Sequence, residues 1–468
     1  MAFSGGSRLF GIASVSLLLG CSPSSDPDAD TAAAASSSAS AGGSTSGSGG
    51  ASSSSGAGVT VPSFADGFFD LTEGIASPFD IPKHPPEQKW VIDTAALFAD
   101  LDGDGVSEVI FTHATPAPGG NIEGDLRPKV YRYVSGKLEL VGLFADDAFP
   151  STYSFIPRAV LDLDGDGLLD VLTSSQIAWG APGGAFTFPV FLTDISDNRG
   201  PVDTLAIADL DDDGWLDILI GGALCETDAP PLYPIVRTGL RTFASATGLI
   251  DQPIPGRSFA VMAARFGEER VVSSLYSSCF NESGDPYPFY RWSGTQFVPF
   301  ELLPEPYKLD SPMGAALGDL DGDGHFDLTI SERHDYFRGG TLPLEDITDK
   351  VGFQDIPSES LIPMIPWGVA FLDLDRDGRL DVVTVHGNDF KAWFDPGWQI
   401  GPQWSTIHWN AGDLQFIEIE AGLSRKGQWK TLDVGDLDGD GDADLAIGGG
   451  GELPRVYRND IAAGHGFS

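Results

Sequence analysis

Residues 99–111 read ADLDGDGVSEVIF, with four carboxylates (Asp100, Asp102, Asp104 and Glu108) crowded around Gly105 and an apolar run close behind. Mutual repulsion would destabilise so compact a loop unless a cation sits among the oxygens. Calcium suits the arrangement, because it takes about six to eight oxygen ligands and alternate aspartates in a tight loop can converge on one point where a glycine permits the turn. The pattern D-x-D-x-D-G-x-x-[DE] recurs from Asp162, Asp209, Asp319, Asp373 and Asp436, making six copies. Their successive spacings are 62, 47, 110, 54 and 63 residues, so the long interval has room for one more unit. Residues 258–280, SFAVMAARFGEERVVSSLYSSCF, fill it: they read strand, short turn, strand, without the acidic loop. Seven units of roughly 55 residues imply an array or a propeller, since one such unit cannot bury its apolar face alone.

Each acidic loop lies between two short β-rich runs, such as AIAD before and ILIG after, which together read as a hairpin. An EF-hand would need a bidentate acid at position 12, and that position is Phe111, Thr173, Ile220, Ile330, Thr384 or Ile447, none of which binds a metal. A third strand follows as KVYRYV and RVYRND, and a fourth as LEDIT, FIEIE and FFDLT. The expected fold is therefore all-β, a seven-bladed β-propeller, the radial arrangement that protects sheet edges. The last unit ends after its third strand near residue 460, and an unassigned FFDLTEGI at 68–75 precedes the first loop. This N-terminal strand is expected to complete the final blade and close the ring.

The motif GDLDGDGHFDLTI, the fragment WGAPGG at 179–184 and the FG of AARFGEER resemble the FG-GAP/VCBS-type repeats of integrin-alpha-like propellers, over about residues 66–468. The resemblance implies calcium in each loop, between the first and second strands of a blade and on one face. Position 1 (Asp100, Asp162, Asp209, Asp319, Asp373, Asp436), position 3 (Asp102, Asp164, Asp211, Asp321, Asp375, Asp438), position 5 (Asp104, Asp166, Asp213, Asp323, Asp377, Asp440) and position 9 (Glu108, Asp170, Asp217, Asp327, Asp381, Asp444) would supply carboxylates. Position 7 (Val106, Leu168, Trp215, His325, Arg379, Asp442) would supply a main-chain oxygen, which any residue can do. Up to six calcium ions are expected, as structural clips rather than catalysts. The fourth unit, Arg265 to Glu269, lacks the ligand pattern and is expected to carry none.

The N-terminus reads as a bacterial secretory signal: Arg8, an apolar run too short to span a membrane, then Leu18-Leu19-Gly20-Cys21, which resembles a lipoprotein processing site with Cys21 acylated. Residues 22–65 are rich in Ala, Ser and Gly and read as a flexible tether, leaving 66–468 as the folded body. An exported protein, lipid-anchored at the outer membrane or cell surface, is the expectation. Cys225 and Cys279 end corresponding strands of adjacent units and could form a disulfide; two buried thiols are the alternative. The net charge of −41 would still be about −29 with six divalent ions bound. That argues against nucleic acid and against anionic membrane surfaces as partners, because phosphate recognition requires a basic surface.

Loops after the second strands should lie on the face opposite the acidic loops. They carry His113, Gln176, Glu226, Glu332, His334, Asp335, His386 and Asp389. In integrin-like propellers that face carries ligand contacts, so a protein or carbohydrate ligand is expected there. Six of the ten tryptophans fall between 367 and 429, and Trp393, Trp398, Trp404 and Trp409 could stack on sugar rings or fill space between blades. The chain reads foremost as a binding or adhesion module. A propeller enzyme acting on polysaccharide, lyase-like, and a purely structural envelope component are the alternatives, and no catalytic motif singles out the enzyme.

Overall fold

The computed structural model describes residues 67–72, 94–113, 128–143, 157–173, 176–182, 185–187, 190–191, 204–221, 232–251, 257–277, 289–304, 314–331, 335–351, 366–387, 403–419, 421–423, 425–449 and 454–461. Their strands form seven four-stranded antiparallel sheets and one two-stranded ribbon. Among the described residues, helix is confined to one turn at Thr348–Val351 and a 3-10 turn at Thr247–Leu249. No helix among the described residues is long and apolar enough to cross a membrane.

The sheets are the blades, each with a first, second, third and fourth strand. Blade 1 is Thr94–Ala99, Glu108–His113, Lys129–Val134 and Lys137–Leu143; blade 2 is Ala159–Leu161, Asp170–Leu172, Gln176–Ala178 and Val190–Phe191. Blade 3 is Thr204–Ala208, Asp217–Gly221, Leu232–Gly239 and Thr242–Ser245; blade 4 is Arg257–Phe266, Glu269–Ser277, Phe289–Trp292 and Phe297–Phe300. Blade 5 is Ala315–Gly318, Asp327–Ile330, Asp335–Arg338 and Glu345–Asp346; blade 6 is Pro366–Leu372, Asp381–His386, Thr406–Asn410 and Phe416–Glu418. Blade 7 is Trp429–Gly435, Asp444–Gly449, Arg455–Asn459 and, from the other end of the chain, Phe68–Asp70. The unit without the acidic-loop pattern is blade 4, whose first two strands meet in a tight turn at Gly267, with φ +61°.

The middle of each second strand is buried because both of its faces are covered, and the strand period of two divides its side chains between two neighbours. Val109 and Phe111 pack toward blade 7, whereas Ile110 packs toward blade 2. Leu445 and Ile447 face blade 6, and Ala446 faces blade 1. Each pair of neighbouring blades shares one apolar cluster, the pair of blade 7 and blade 1 included.

Phe68–Asp70 pairs antiparallel with Arg455–Asn459, Phe68 opposite Asn459 and Asp70 opposite Tyr457. Its neighbours tie it further: the Phe68 N–H donates to the Ala421 carbonyl at 2.7 Å and the Leu71 N–H to the Val456 carbonyl at 2.9 Å. Phe68 joins the cluster between blades 6 and 7, and Leu71 the one between blades 7 and 1. Phe69 points outward, 56% exposed, with the Arg458 guanidinium 5.8 Å from its ring. Phe68→Ala is expected to lower unfolding stability by about 3 kcal/mol in urea titration. Phe69→Ala, which disturbs only an exposed cation–π contact, should cost about 1 kcal/mol or less.

Candidate metal loops

In every acidic loop the first carboxylate folds the chain around itself. Its Oδ2 accepts the N–H of the position-6 glycine at 2.8–3.1 Å. Those glycines (Gly105, Gly167, Gly214, Gly324, Gly378 and Gly441) all have φ between +84° and +89°. A Cβ at any of them would meet no atom within 4 Å, so glycine is required for backbone conformation and not for space. The position-5 carboxylate accepts the position-7 N–H at 2.8–3.0 Å, which turns the chain back toward the second strand.

Position 9 opens the second strand and is the most buried of the set: Asp170, Asp217 and Asp444 are fully inaccessible. One oxygen accepts the N–H of position 2 across the loop at 2.6–2.9 Å. The other accepts a backbone N–H at the third strand or just beyond it, from Gly180, Arg237, Gly339, Asn410 or Asn459, at 2.7–2.8 Å. Blade 1 departs because Glu108 is one carbon longer, and its second oxygen instead accepts the Arg132 Nε at 2.7 Å. The position-9 acid therefore fastens the acidic loop to the third strand.

Carboxylate oxygens of positions 1, 3 and 9 approach within 4.8 Å of one another in the loops of blades 1, 2, 3, 5 and 6. Two oxygens sharing a calcium ion at about 2.3–2.6 Å can be no farther apart than about 5 Å, so this spacing fits a hard divalent ion. A second feature points the same way in blade 6. Asp375 is 2% exposed; its Oδ2 accepts the Trp409 Nε1 at 2.8 Å, while its Oδ1 is buried with no hydrogen-bond partner. An unpartnered buried carboxylate oxygen is costly, and a coordinated cation would remove that cost.

Burial is the main cause that pushes the position-9 aspartates upward, opposed by their backbone hydrogen bonds: Asp217 and Asp327 to about 6, Asp444 to about 7 and Asp381 to about 8. Asp442 at position 7 rises to about 8 by burial and by the charge of Asp440. Yet two N–H donors on each position-9 acid match the ionised, acceptor-only form. A cation among the oxygens would reconcile the two demands.

Arginines supply part of that compensation, and the loop pattern alone does not reveal them. Arg132 contacts Asp102 and Glu108 of its own blade, and Arg338 reaches Asp321 at 2.6 Å and Asp323 at 3.0 Å. Arg241 of blade 3 contacts Asp164 and Asp166 of blade 2, and Arg376 of blade 6 reaches Asp440 of blade 7 at 2.9 Å. These guanidinium groups are 33–43% exposed, so each pair contributes at most about 1 kcal/mol. A second unread feature was visible in the motif itself, as the leucine at position 2 of all six loops. Leu163, Leu210, Leu320, Leu374 and Leu437 are at most 2% exposed, each plugging the interface with the next blade, and Leu101 packs less deeply in the same way.

The expected ligand-face residues are only partly assembled. His386 is fully buried at the end of the second strand of blade 6, its Nδ1 3.0 Å from the Trp404 carbonyl oxygen. Trp409 is buried as well, turned toward the acidic loop rather than a ligand, because its indole N–H has Asp375 for a partner. Trp404 is half-buried and lines a cleft of about 280 Å³ with Thr406, Glu418 and Lys426, the Lys426 Nζ lying 4.7 Å from its ring. Strand direction places this cleft at the end of blade 6 remote from Asp373. Cys21, Cys225, Cys279, Glu332, His334, Asp389, Trp393, Trp398 and the His113 side chain lie outside the described residues.

Residues 162–220, from the loop of blade 2 to the second strand of blade 3, match the FG-GAP-like repeat. No curated protein matches the sequence. Among solved structures the chain is similar to the extracellular domain of a proposed hybrid two component system from B. thetaiotaomicron, at 11% identity and a TM-score of 0.43, covering 84% of this chain and 39% of that one. It is also similar to the Dos1 propeller, at 10% identity and a TM-score of 0.40, covering 75% and 74% of the two chains. The Neurospora crassa Pan2 WD40 domain is similar at 10% identity and a TM-score of 0.37, covering 78% and 89%.

Asp381→Ala would leave two buried N–H groups without an acceptor, at about 1–3 kcal/mol each, so a loss of about 3 kcal/mol is expected in urea titration. The raised carboxyl values carry a pH signature. A folded-state value above the unfolded one penalises the ionised folded protein, and the penalty lifts as pH falls through the folded value. With chelator present, the melting temperature should therefore rise between about pH 8 and about pH 5. Excess divalent cation should reduce or reverse that trend, because protons then compete with the ion.

Proposed function

We propose that this chain is an exported, calcium-clipped seven-bladed propeller that acts as an extracellular binding module for a protein or carbohydrate ligand. The observation that carries the reading is the convergence of three carboxylates in loop after loop, each position-9 acid already engaged in fastening strands. Carboxylates committed in this way suit an ion whose coordination sphere the loop itself fills. Such an ion supplies charge neutralisation and strand registration, and offers no open position at which to activate a substrate.

Export and a lipid anchor rest on the sequence of residues 1–21, with residues 22–65 as the tether. The strongly acidic body agrees with a partner other than nucleic acid. For the ligand, the cleft beside Trp404 combines an aromatic ring, Thr406, Glu418 and Lys426. Such a mixture of stacking surface and hydrogen-bonding groups suits a sugar or a polar peptide segment.

Extracellular calcium modules have dissociation constants of about 10⁻⁴–10⁻³ M. At calcium ten times that constant each occupied loop would stabilise the folded state by about 1.4 kcal/mol, and six would approach about 8 kcal/mol as an upper figure. Chelation is accordingly expected to lower the melting temperature by several degrees, and an unchanged melt would mean that the loops hold no ion. The ligand reading is tested by screening the tether-free body, residues 66–468, against a glycan array and a polysaccharide panel. Specific retention without turnover, abolished by Trp404→Ala with the calcium-dependent melt intact, is the expected result. New reducing ends or unsaturated products would favour a lyase-like enzyme, and neither retention nor turnover would favour a structural envelope component.

A further inference from the structure

The third-strand residue that donates its N–H to the position-9 acid differs among blades, and the difference divides the ring. In blade 6 that residue is Asn410, and its Nδ2 donates at 3.2 Å to the carbonyl of Leu320, position 2 in the loop of blade 5. In blade 7 it is Asn459, whose Nδ2 donates at 3.0 Å to the carbonyl of Leu374, position 2 in the loop of blade 6. In blade 3 it is Arg237, which donates at 2.8 Å to the carbonyl of Leu163 in the loop of blade 2. In blades 2 and 5 the corresponding residue is glycine, which has no side chain to reach back. A Cβ there would approach a backbone oxygen to 2.5 Å at Gly180 and 2.3 Å at Gly339, so both blades exclude the link sterically.

Each link forms one continuous path. Leu374 is held at both ends, its N–H by Asp381 and its carbonyl by Asn459, and it stands between Asp373 and Asp375, two of the carboxylates that converge. Asn459 in turn presents its own N–H to Asp444, which holds the N–H of Leu437 in the next loop. The same sequence of contacts runs from Leu320 through Asn410 to Asp381. At the ring closure the Ser107 N–H of blade 1 donates to the Asp436 carbonyl at 2.8 Å, extending the arc by one more loop. The buried, unpartnered Asp375 Oδ1 lies in the middle loop of this arc.

We propose that Asn410 and Asn459 are positioning residues that couple cation binding between neighbouring loops, so that the loops of blades 5, 6 and 7 fill as one cooperative arc. The loops of blades 2 and 3 form a separate arc through Arg237. This inference rests on the calcium reading. An ion that orders one loop fixes the peptide after its position-2 leucine, which fixes the asparagine, which holds the position-9 carboxylate of the next loop in its binding orientation. Binding energy spent on ordering the first loop is then not required again by the second.

The test is a double-mutant cycle read by calorimetric titration with calcium alone. Asp373→Ala removes a ligand from the blade 6 loop. In the otherwise native chain it should remove one ion and weaken the remaining ions of the arc by about fivefold or more. In the Asn410→Ala/Asn459→Ala background the same substitution should remove one ion and change the other affinities by less than about twofold. Asp209→Ala, in the other arc, should leave the loops of blades 5, 6 and 7 unaffected in either background. Asn459→Ala alone, which spares Asn410, should cut only the link between blades 6 and 7, and it serves if the double variant does not fold. Calcium uptake with equal effects of Asp373→Ala in both backgrounds would overturn the coupling alone, whereas no uptake by the native chain would overturn the calcium reading beneath it.

Discussion

In five of the seven blades a carboxylate at the start of the second strand, buried and holding two backbone N–H groups at once, is the interaction on which the rest of the blade depends. Asp217 shows it most plainly: Leu210 lies on one side of it, Arg237 on the other, and its own strand runs beneath. Without that acceptor the acidic loop would have no attachment to the third strand and the hairpin no fixed exit. Burial of so many acids is costly by itself, since Asp381 is pushed up to about 8. The neighbouring carboxylates at positions 1 and 3 make it costlier unless positive charge is near. Arginines from the same or the adjoining blade meet part of that need, and the geometry leaves room for a cation to meet the remainder.

Packing between blades follows from the same nine residues. Position 2 carries a leucine that leaves its own loop to plug the next interface, so each loop contributes both polar fastening and apolar seal. The alternation along the second strands sends consecutive side chains to opposite neighbours, which is why the middle of each run is buried on both faces. At the point where the ring would otherwise have a seam, Phe68 and Leu71 enter the clusters on either side of blade 7. Blade 4 manages with a plain tight turn that lacks the acidic ligand pattern, and it too is reached by its neighbour's loop: Arg270 donates to the carbonyls of Asp209 and Leu210.

The candidate site was legible to unequal depth. The acidic positions, the glycine at position 6 and the missing copy at residues 258–280 could all be read, because each depends on residues within about a dozen positions of one another. Trp409 and His386 could not be placed. They lie in a stretch whose polar and aromatic composition suits a ligand face, yet both are buried, one directed at Asp375 and the other at the Trp404 carbonyl. Composition cannot separate an exposed indole from one that closes a loop, since the same ring and the same N–H serve both.

By itself the sequence determined the number of units, the hairpin that holds each acidic loop, the conformation imposed by each position-6 glycine, and the all-β character of the chain. These follow from local sterics and a strand period of two. Only the tertiary structure decided which third-strand residue meets each buried acid, which blades are bridged by Asn410, Asn459 or Arg237, and which are left unbridged at Gly180 and Gly339. The physical reason is separation along the chain: Asn410 and Leu320 are 90 residues apart, and Asn459 and Leu374 are 85. Hydrogen bonds of that range have no local signature, and they form only once closure of the ring has brought one blade against the next.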